Sequence, residues 1–211
     1  MAAADDQEPG AIRVLVAEDQ GMVRGALASL LTLQPDIEVV AEAGSGDEAV
    51  AQARRAHPDI ALLDIEMPGK NGITAGAEIR EALPRCHVVI LTTFGQPGYL
   101  RRAMAAGASA FLVKDAPARE LARALRRVLA GERVVDPALA VAALSSEPDP
   151  LSPREKDVLA AAADGATVAD IAGRLYLSEG TVRNYLSAAI RKVGGRNRIE
   201  AARAARRRGW I

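Results

Sequence analysis

The chain has 211 residues, and its 27 basic and 27 acidic side chains give a formal net charge of zero at pH 7. This length allows one or two domains, each large enough to bury a hydrophobic core. No stretch approaches the ~20 continuous apolar residues that a membrane-spanning helix needs, which argues against a membrane protein. The single cysteine, Cys86, excludes an intramolecular disulfide and is consistent with a cytoplasmic protein.

The zero net charge hides an asymmetry along the chain. From Leu151 onward there are twelve Lys and Arg residues against six Asp and Glu residues, whereas the preceding part holds 15 basic and 21 acidic residues. An acidic half joined to a basic half predicts two domains, one of which binds a polyanion. A solvated run of charge is the simpler interpretation of residues 203–208 alone.

Residues 1–10 are small and acidic and end in Pro-Gly, so we expect a disordered tail rather than a signal peptide. Residues 11–131 then alternate between short apolar runs and stretches with helical periodicity. Five strand–helix units predict an α/β domain with a parallel sheet and helices on both faces. The predicted strands are 12–17, 37–43, 60–64, 88–91 and 110–113, and the predicted helices are 21–34, 47–56, 73–82, 99–106 and 118–130.

Acidic residues stand at the ends of two of these strands. Glu18 and Asp19 follow the first strand, and Asp64 ends the third. Because the carboxyl ends of parallel strands meet at one edge of the sheet, we expect the three carboxylates to share a crevice. Like charges raise each other's pKa, so the cluster needs a cation, and Mg²⁺ with its preference for oxygen ligands is the simplest choice. The alternative is that Asp64 only caps the turn that follows it.

Two further strand ends supply groups that a phosphorylated aspartate would require. Thr92 offers a hydroxyl donor and Lys114 a fixed positive charge, both suited to phosphoryl oxygens. The carboxylate of Asp64 would then be the nucleophile. Taken singly, Thr92 and Lys114 are ordinary strand-end residues, but their occurrence at consecutive strand ends predicts a phosphoacceptor site.

This set of residues resembles the receiver domain of two-component response regulators. The matching positions are Glu18-Asp19, Asp64 with Met67-Pro68 and Gly72, then Thr92 and Lys114. The resemblance implies a five-stranded, CheY-like (flavodoxin-like) receiver domain over residues 11–131 and phosphorylation of Asp64 by a sensor histidine kinase.

The same resemblance implies roles for further residues. Mg²⁺ would be held by Asp19, Asp64 and the backbone carbonyl of Glu66, with Glu18 in the same acidic set. Thr92 would move toward the phosphate, and Phe111 would be the aromatic residue whose rotamer reports the switch. Glu66 departs from the neutral or smaller residue that is common at this position, so we expect it to alter autodephosphorylation.

Residues 132–150 form a predicted linker, with a short helix over 133–144 and the sequence Ser-Ser-Glu-Pro-Asp-Pro at its end. Three helix starts follow in residues 151–211. Ser152 caps a helix that begins with Pro153 and has Glu155 in its first turn, which is a capping-box pattern. Thr167 with Asp170 repeats the pattern, and Ser178 caps a third helix over 179–193.

The third helix has two distinct faces. Its apolar residues recur at three and four positions, whereas its polar residues fall on the opposite side. A short helix, a turn over 175–177 and a second amphipathic helix together predict a helix-turn-helix whose second helix enters the DNA major groove. A bundle helix with a solvated face is the alternative. The apolar set is Val182, Leu186, Ala189 and Val193, and the polar set is Arg183, Asn184, Ser187 and Arg191.

Arginine and asparagine can read guanine and adenine edges, whereas Lys192, Arg196 and Arg198 are better placed for phosphates. The segments 151–155, 171–172, 177–185 and 196–201 resemble the four-helix DNA-binding domain of the NarL/FixJ (LuxR-type) regulators. That resemblance implies base contacts from Arg183, Asn184 and Ser187, and backbone contacts from Thr181, Tyr185 and Lys192.

The sequence therefore predicts a bacterial transcription regulator rather than an enzyme. Phosphorylation of Asp64 would promote a homodimer that binds paired DNA half-sites about one helical turn or a multiple apart. Two alternatives stay open. The receiver could be a phosphate-independent regulatory module, or the chain could be a Mg²⁺-dependent phosphotransferase with Glu66 as its general acid, although such enzymes usually carry that pair after the first strand.

Overall fold

The computed structural model describes residues 10–93, 97–114, 117–144, 149–163 and 165–211. The chain divides into two compact units. The first contains the N-terminal strands and helices and ends at Ala138, and Leu139–Ile211 form the bulk of the second. Of the predicted tail only Gly10 is described, and residues 145–148 of the predicted linker lie outside the described residues.

The first unit is a parallel sheet in the strand order β2-β1-β3-β4-β5-β6 with helices between consecutive strands, so the predicted CheY-like α/β fold is confirmed. Its strands are β1 (Ile12–Ala17), β2 (Ile37–Ala43), β3 (Ile60–Asp64), β4 (His87–Thr92), β5 (Ala110–Val113) and β6 (Val134–Val135). Its helices are α1 (Gly21–Thr32), α2 (Gly46–Ala56), α3 (Gly72–Ala82), α4 (Pro97–Ala105) and α5 (Ala118–Leu129). Beyond the five predicted strands, β6 pairs with β5 inside the stretch that we predicted as linker. A strand of two residues is too short to show a periodicity in the sequence.

The centre of the sheet is apolar up to its carboxyl edge, where Asp64 ends β3, because both faces of the sheet are covered. Every residue of β3 is buried, as expected for a strand between two neighbours and two helical layers. In the register, Ala17 is opposite Leu63, and Asp64 is opposite Leu91. The ends of β1, β3 and β4 therefore lie side by side, which brings the residues that follow these strands to one edge.

A close approach of α3 to the end of β3 shapes the same edge. The amide of Gly72 donates to the carbonyl oxygen of Ile65 at 3.0 Å. A Cβ atom at Gly72 would lie 1.9 Å from the carbonyl oxygen of Asp64. Only glycine fits where the helix begins this close to the strand.

The second unit contains helices α7 (Pro153–Ala163), α8 (Val168–Leu175), α9 (Glu179–Val193) and α10 (Arg198–Arg207), preceded by α6 (Pro137–Leu144). The predicted caps are confirmed. Ser152 and Glu155 exchange side chain to backbone bonds, Thr167 and Asp170 form a complete capping box, and the Ser178 hydroxyl accepts from the amide of Thr181. Apolar faces of α7 to α10 share one core.

Across the described part of the chain, no helix combines the length and the apolar character needed to cross a bilayer.

Candidate functional site

Three carboxylates converge at the carboxyl edge of the sheet. One oxygen each from Glu18, Asp19 and Asp64 lies within 4.8 Å of the others. Glu18 and Asp64 are buried, whereas Asp19 is exposed. The predicted acidic crevice is therefore present, and it is open to solvent on the Asp19 side.

Lys114 connects two members of this cluster. Its ammonium lies 3.0 Å from Asp64 Oδ2 and also donates to Glu18 Oε2. The backbone amide of Lys114 donates to the carbonyl oxygen of Thr92 at 2.8 Å, which holds the lysine backbone beside the end of β4. The structure thus brings together Lys114, Asp64 and Glu18 from the ends of three strands.

The pKa values of these groups are shifted by burial and by their mutual contacts. Burial raises the pKa of Asp64, and the nearby Asp19 adds to this effect, although Lys114 opposes it. Burial also raises the pKa of Glu18 against the opposing bond from Lys114. For Lys114, burial alone would lower the pKa, but its bonds to Glu18 and Asp64 outweigh burial and raise it. The lysine therefore stays charged, while the two buried carboxylates gain from any further positive charge.

The donor set fits a hard divalent cation. All three groups offer carboxylate oxygens, which Mg²⁺ prefers to nitrogen or sulfur ligands. Both oxygens of Glu18 are already hydrogen-bonded, Oε1 by the amide of Gln20 and Oε2 by Lys114. The oxygens of Asp64 are occupied in the same way, Oδ1 by the amide of Ile65 and Oδ2 by Lys114, so hydrogen bonding does not decide which of the buried carboxylates would bind the metal directly.

The other receiver residues predicted from the sequence occupy different environments. Thr92 is buried at the end of β4, one residue beyond the pairing of Asp64 with Leu91. Phe111 is completely buried in β5, opposite Ile90, and the side chain of Glu66 is exposed.

Sequence reasoning missed Arg24, whose guanidinium donates to the carbonyl oxygen of Glu18 at 2.6 Å. Arg24 lies in α1, where an arginine has no distinguishing pattern in the sequence.

In the second unit, α9 presents the predicted polar face to solvent. Val182, Leu186, Ala189 and Val193 are buried on the other side. The helix begins after Ser178, whose side chain caps it, and ends at Gly194 in the left-handed conformation. Along this face and just after it, Arg183, Asn184, Ser187, Arg191, Lys192 and Arg196 are exposed, and Thr181 and Tyr185 are half-buried.

Three of these candidate cations are bonded to acids within the unit. Arg183 lies 2.6 Å from Glu179 and Arg196 lies 3.0 Å from Glu200, and the partners in each pair are four residues apart in the sequence. A DNA phosphate or base would compete with these exposed carboxylates, and such surface pairs contribute little stability.

The third pair joins Lys192 to a buried acid. The Lys192 ammonium lies 2.7 Å from Oε2 of Glu155, which also accepts from the amide of Ser152. Burial raises the pKa of Glu155, but the bonds from Lys192 and Ser152 outweigh it and hold that pKa below its usual range. The sequence predicted Glu155 only as a capping acid, because no local pattern relates it to a residue on another helix.

Comparison with known proteins agrees with both parts of this arrangement. Residues 14–126 match the model of the response regulator receiver domain, and residues 149–205 match that of the bacterial regulatory proteins of the luxR family. The transcriptional regulatory protein DesR of Bacillus subtilis (strain 168) is 45% identical over 200 residues, which are 95% of this chain and 99% of DesR.

Solved structures give the same result. The crystal structure of the response regulator ChrA, from a heme-sensing two-component system, superposes with a TM-score of 0.57 at 35% identity and covers 96% of this chain and 100% of ChrA. The RcsB–DNA complex has a TM-score of 0.64 at 22% identity, covering 94% of this chain and 99% of RcsB, which shows likeness of fold alone.

The sheet edge and the helix-turn-helix unit define a protein that joins a receiver domain to a DNA-binding domain. The chain belongs to the two-component response regulators of the NarL/FixJ family, which carry a LuxR-type helix-turn-helix.

Proposed function

We propose that this response regulator is switched on by phosphorylation of Asp64, which a partner sensor histidine kinase performs, and that the phosphorylated form dimerises and binds promoter DNA. The observation that carries the proposal is the burial of Asp64 at the end of β3 beside Lys114 and two further carboxylates. The carboxylate of Asp64 can act as a nucleophile toward a phosphoryl group. The acyl phosphate that forms carries negative charge, and the ammonium of Lys114 is already positioned to stabilise that charge.

Mg²⁺ is the proposed cofactor of this step. Asp19 and Asp64, with the backbone carbonyl of Glu66, would hold it, and Glu18 would complete the acidic set. The ion would supply positive charge against the phosphoryl oxygens. The convergence of carboxylate oxygens within 4.8 Å supports the site, because these groups otherwise repel one another.

The proposed switch follows from the charges in the pocket. Lys114 divides its donors between Glu18 and Asp64. A phosphoryl group on Asp64 adds roughly two negative charges at neutral pH. Lys114 and the hydroxyl of Thr92 then gain a stronger partner, which favours the conformation in which both reach the phosphate. Phe111 is buried in β5, and its movement would transmit the change of conformation from the pocket to the surface of the receiver domain.

The proposed DNA contacts lie on the exposed face of α9. Arg183 and Asn184 have the chemistry to read base edges, and Ser187 lies on the same face. Thr181, Tyr185, Arg191, Lys192 and Arg196 would contact phosphates and so fix the register of the helix without reading sequence. Binding by Arg183 requires it to exchange Glu179 for a DNA group, which makes the affinity sensitive to that acid.

A dimer would present two such helices to paired half-sites. RcsB has been solved as dimers bound to DNA, and this supports the same arrangement here by analogy of fold. The relatives are transcriptional regulators rather than enzymes, which favours the regulator over the phosphotransferase.

Sedimentation of the full chain tests the switch. Wild type and Asp64→Asn are compared in Mg²⁺ with and without beryllofluoride, which stands in for the phosphoryl group. We expect beryllofluoride to convert only the wild type to a dimer. A wild type that dimerises without beryllofluoride would instead support the phosphate-independent module, and turnover of a phosphorylated metabolite would support the phosphotransferase.

A further inference from the structure

Arg24 is a cation at the acidic edge of the receiver sheet that bonds to the backbone rather than to a carboxylate of the cluster. Its Nη1 atom donates to the carbonyl oxygen of Glu18 at 2.6 Å. Its Nε atom lies 3.5 Å from Oε2 of Glu42, near the end of β2. With 25% of its side chain exposed, the guanidinium is held between α1 and the ends of β1 and β2.

The carboxylate of Asp19 depends on its backbone for its position. Asp19 is exposed, and within the described part of the chain its carboxylate accepts no hydrogen bond, in contrast to those of Glu18 and Asp64. An aspartate side chain has few staggered rotamers, so its backbone decides where its oxygens can lie. Whatever holds the turn that follows β1 therefore also holds the Asp19 oxygen within 4.8 Å of the other two carboxylates.

Arg24 supplies both a backbone bond and a side-chain bond to this turn. Its amide donates to the carbonyl oxygen of Gln20 at 2.9 Å, and its guanidinium donates to that of Glu18. On the other side, the amide of Glu18 donates to the carbonyl oxygen of Ala43 at 3.0 Å. Most residue types in α1 could supply the backbone bond, but the side-chain bond needs a long donor that reaches the end of β1.

The bonded carbonyl belongs to the peptide group that joins Glu18 to Asp19. Because a peptide group is planar, a fixed direction of this carbonyl also fixes the direction in which the Cα atom of Asp19 lies. The bond is charge-assisted and its acceptor residue is completely buried, and such bonds are roughly twice as strong as neutral ones. Arg24 thus acts on Asp19 through the backbone, without a bond to its carboxylate.

The charge of Arg24 acts against metal binding, whereas its geometry supports it. A guanidinium near the carboxylate cluster adds positive charge close to the proposed Mg²⁺ site, and like charges repel. Glu42 offsets only part of this charge. Charge and geometry therefore predict changes of opposite sign in Mg²⁺ affinity when the guanidinium is removed.

We propose that Arg24 is a positioning residue of the metal site, which holds the peptide between Glu18 and Asp19 and so places the Asp19 carboxylate for Mg²⁺. This inference rests on the proposed function, in which Asp19 and Asp64 hold the ion. It gives α1 a part in a crevice whose other members come from the ends of strands.

The test measures the dissociation constant of Mg²⁺ from the full chain by isothermal titration calorimetry. Arg24→Met removes the charge and the donors but keeps an unbranched side chain. Arg24→Lys keeps the charge but lacks the planar fork that bonds Glu18 and Glu42 together. We expect the dissociation constant to rise about tenfold in Arg24→Met, as for other groups that orient metal ligands from outside, and to rise less in Arg24→Lys.

The order of the affinities separates position from charge. If position decides, the wild type binds Mg²⁺ most tightly and Arg24→Met most weakly, so a charged variant binds the cation better than a neutral one. If charge alone acts, Arg24→Met binds more tightly than the wild type, which would overturn the inference. Should Arg24→Met fail to fold, equal affinities of Arg24→Lys and the wild type would overturn it alone.

Arg126→Met is the matched control for stability. Arg126 also bonds from a receiver helix, to both carboxylate oxygens of Asp36, but Asp36 precedes β2 and so lies at the opposite edge of the sheet. We expect its loss to leave Mg²⁺ affinity unchanged, and melting temperatures report the stability of each variant. An equal loss of affinity in Arg126→Met would assign the effect to stability and overturn the positioning role.

Asp19→Asn separates failure of this inference from failure of the proposed metal site. A wild type that binds no Mg²⁺ would refute the proposed site, and this inference with it. If the wild type and Asp19→Asn bind Mg²⁺ equally, a metal site exists without Asp19 and the positioning role is wrong. Weak binding by Asp19→Asn, together with the expected order of the Arg24 variants, would support both.

Discussion

The ammonium of Lys192, on the helix proposed to read DNA, lies 2.7 Å from the buried carboxylate of Glu155 at the start of α7. This bond joins α7, the first helix of the luxR-type domain, to the last turn of α9. Glu155 is only 5% exposed and also accepts from the amide of Ser152, so its carboxylate is held in place. A lysine carries three donors, so the proposed phosphate contact of Lys192 remains compatible with the bond. The pair orients α9, so we expect loss of Glu155 to lower the stability of the folded protein more than it changes the recognition of bases.

Glu155→Gln should lower the free energy of unfolding by about 1–3 kcal/mol, because the substitution leaves a charged lysine without its buried partner. Urea denaturation at neutral pH measures the change. Glu179→Gln is the matched control, since Glu179 forms an exposed pair with Arg183 on the same helix, and it should alter stability by less than about 1 kcal/mol. Equal effects of the two substitutions would contradict a special role for the buried pair.

The contribution of Glu155 should depend on pH in a defined direction. Its folded-state pKa lies below the ordinary value of 4.5, so its ionisation stabilises the folded protein above that value. This contribution is lost as the pH falls through the lowered folded-state pKa. We therefore expect the difference in unfolding free energy between wild type and Glu155→Gln to be constant near neutrality and to shrink in acid. A difference that grows on acidification would have the wrong sign.

Asp64→Asn should stabilise the receiver unit at neutral pH in the absence of metal. Burial raises the pKa of Asp64 even with Lys114 beside it, so its ionised form costs folding free energy as the pH rises above the unfolded-state pKa. A neutral side chain of the same shape removes that cost, and an increase of about 2–4 °C in melting temperature corresponds to about 1 kcal/mol for a chain of this size. Thermal unfolding in a chelator makes the measurement.

In chelator we expect Asp64→Asn to melt above the wild type, and Mg²⁺ should reverse this order of melting temperatures. A cation that binds only the folded protein stabilises it according to its concentration relative to the dissociation constant. The melting temperature of the wild type should rise with Mg²⁺, whereas those of Asp64→Asn and Asp19→Asn should respond weakly. A similar response in all three proteins would place the ion elsewhere.

Gly72→Ala should strongly destabilise the receiver unit. Its new methyl group would lie 1.9 Å from the carbonyl oxygen of Asp64, so α3 or β3 has to move. Gly25→Ala provides the control, because nothing lies within 4 Å of its Cβ position in α1 and alanine favours a helix by about 1 kcal/mol. The two substitutions should shift the urea midpoint in opposite directions. Beryllofluoride binding by Gly72→Ala should also weaken, since the displaced backbone belongs to Asp64, the proposed phosphoacceptor.

Arg183→Ala should reduce discrimination between bases by about 1–3 kcal/mol at one position of the operator, because a bidentate guanidinium contact is lost. Selection of binding sites from a random DNA library, carried out on the wild type and the variant, measures the change as a relaxed preference. Arg196→Ala serves as the comparison, since a phosphate contact weakens all sequences alike and lowers the dependence of affinity on salt. A uniform loss with Arg183→Ala would reassign that residue to the backbone.

Much of the fold could be predicted from sequence because its signals are local. Strands such as Ile60–Asp64 are continuous apolar runs, and helix starts such as Ser178 carry caps whose partners lie three residues away. Local geometry also places Asp64 and Lys114 at strand ends, and parallel strands collect their carboxyl ends at one edge. The cluster around Asp64 and the exposed face of α9 were therefore predictable as groups of residues.

The tertiary structure alone decided which atoms meet. The donation from Lys114 to Glu18 joins residues 96 positions apart, and that from Lys192 to Glu155 joins residues 37 positions apart. Charge and spacing in the sequence do not select one acid among many, since the selection depends on burial and on the geometry of several elements at once. The left-handed conformation of Tyr176 was likewise visible only in the tertiary structure, because a tyrosine in a sequence carries no signal for positive φ. Composition and periodicity determine the elements of this response regulator, and packing between distant elements determines the chemistry of its pockets.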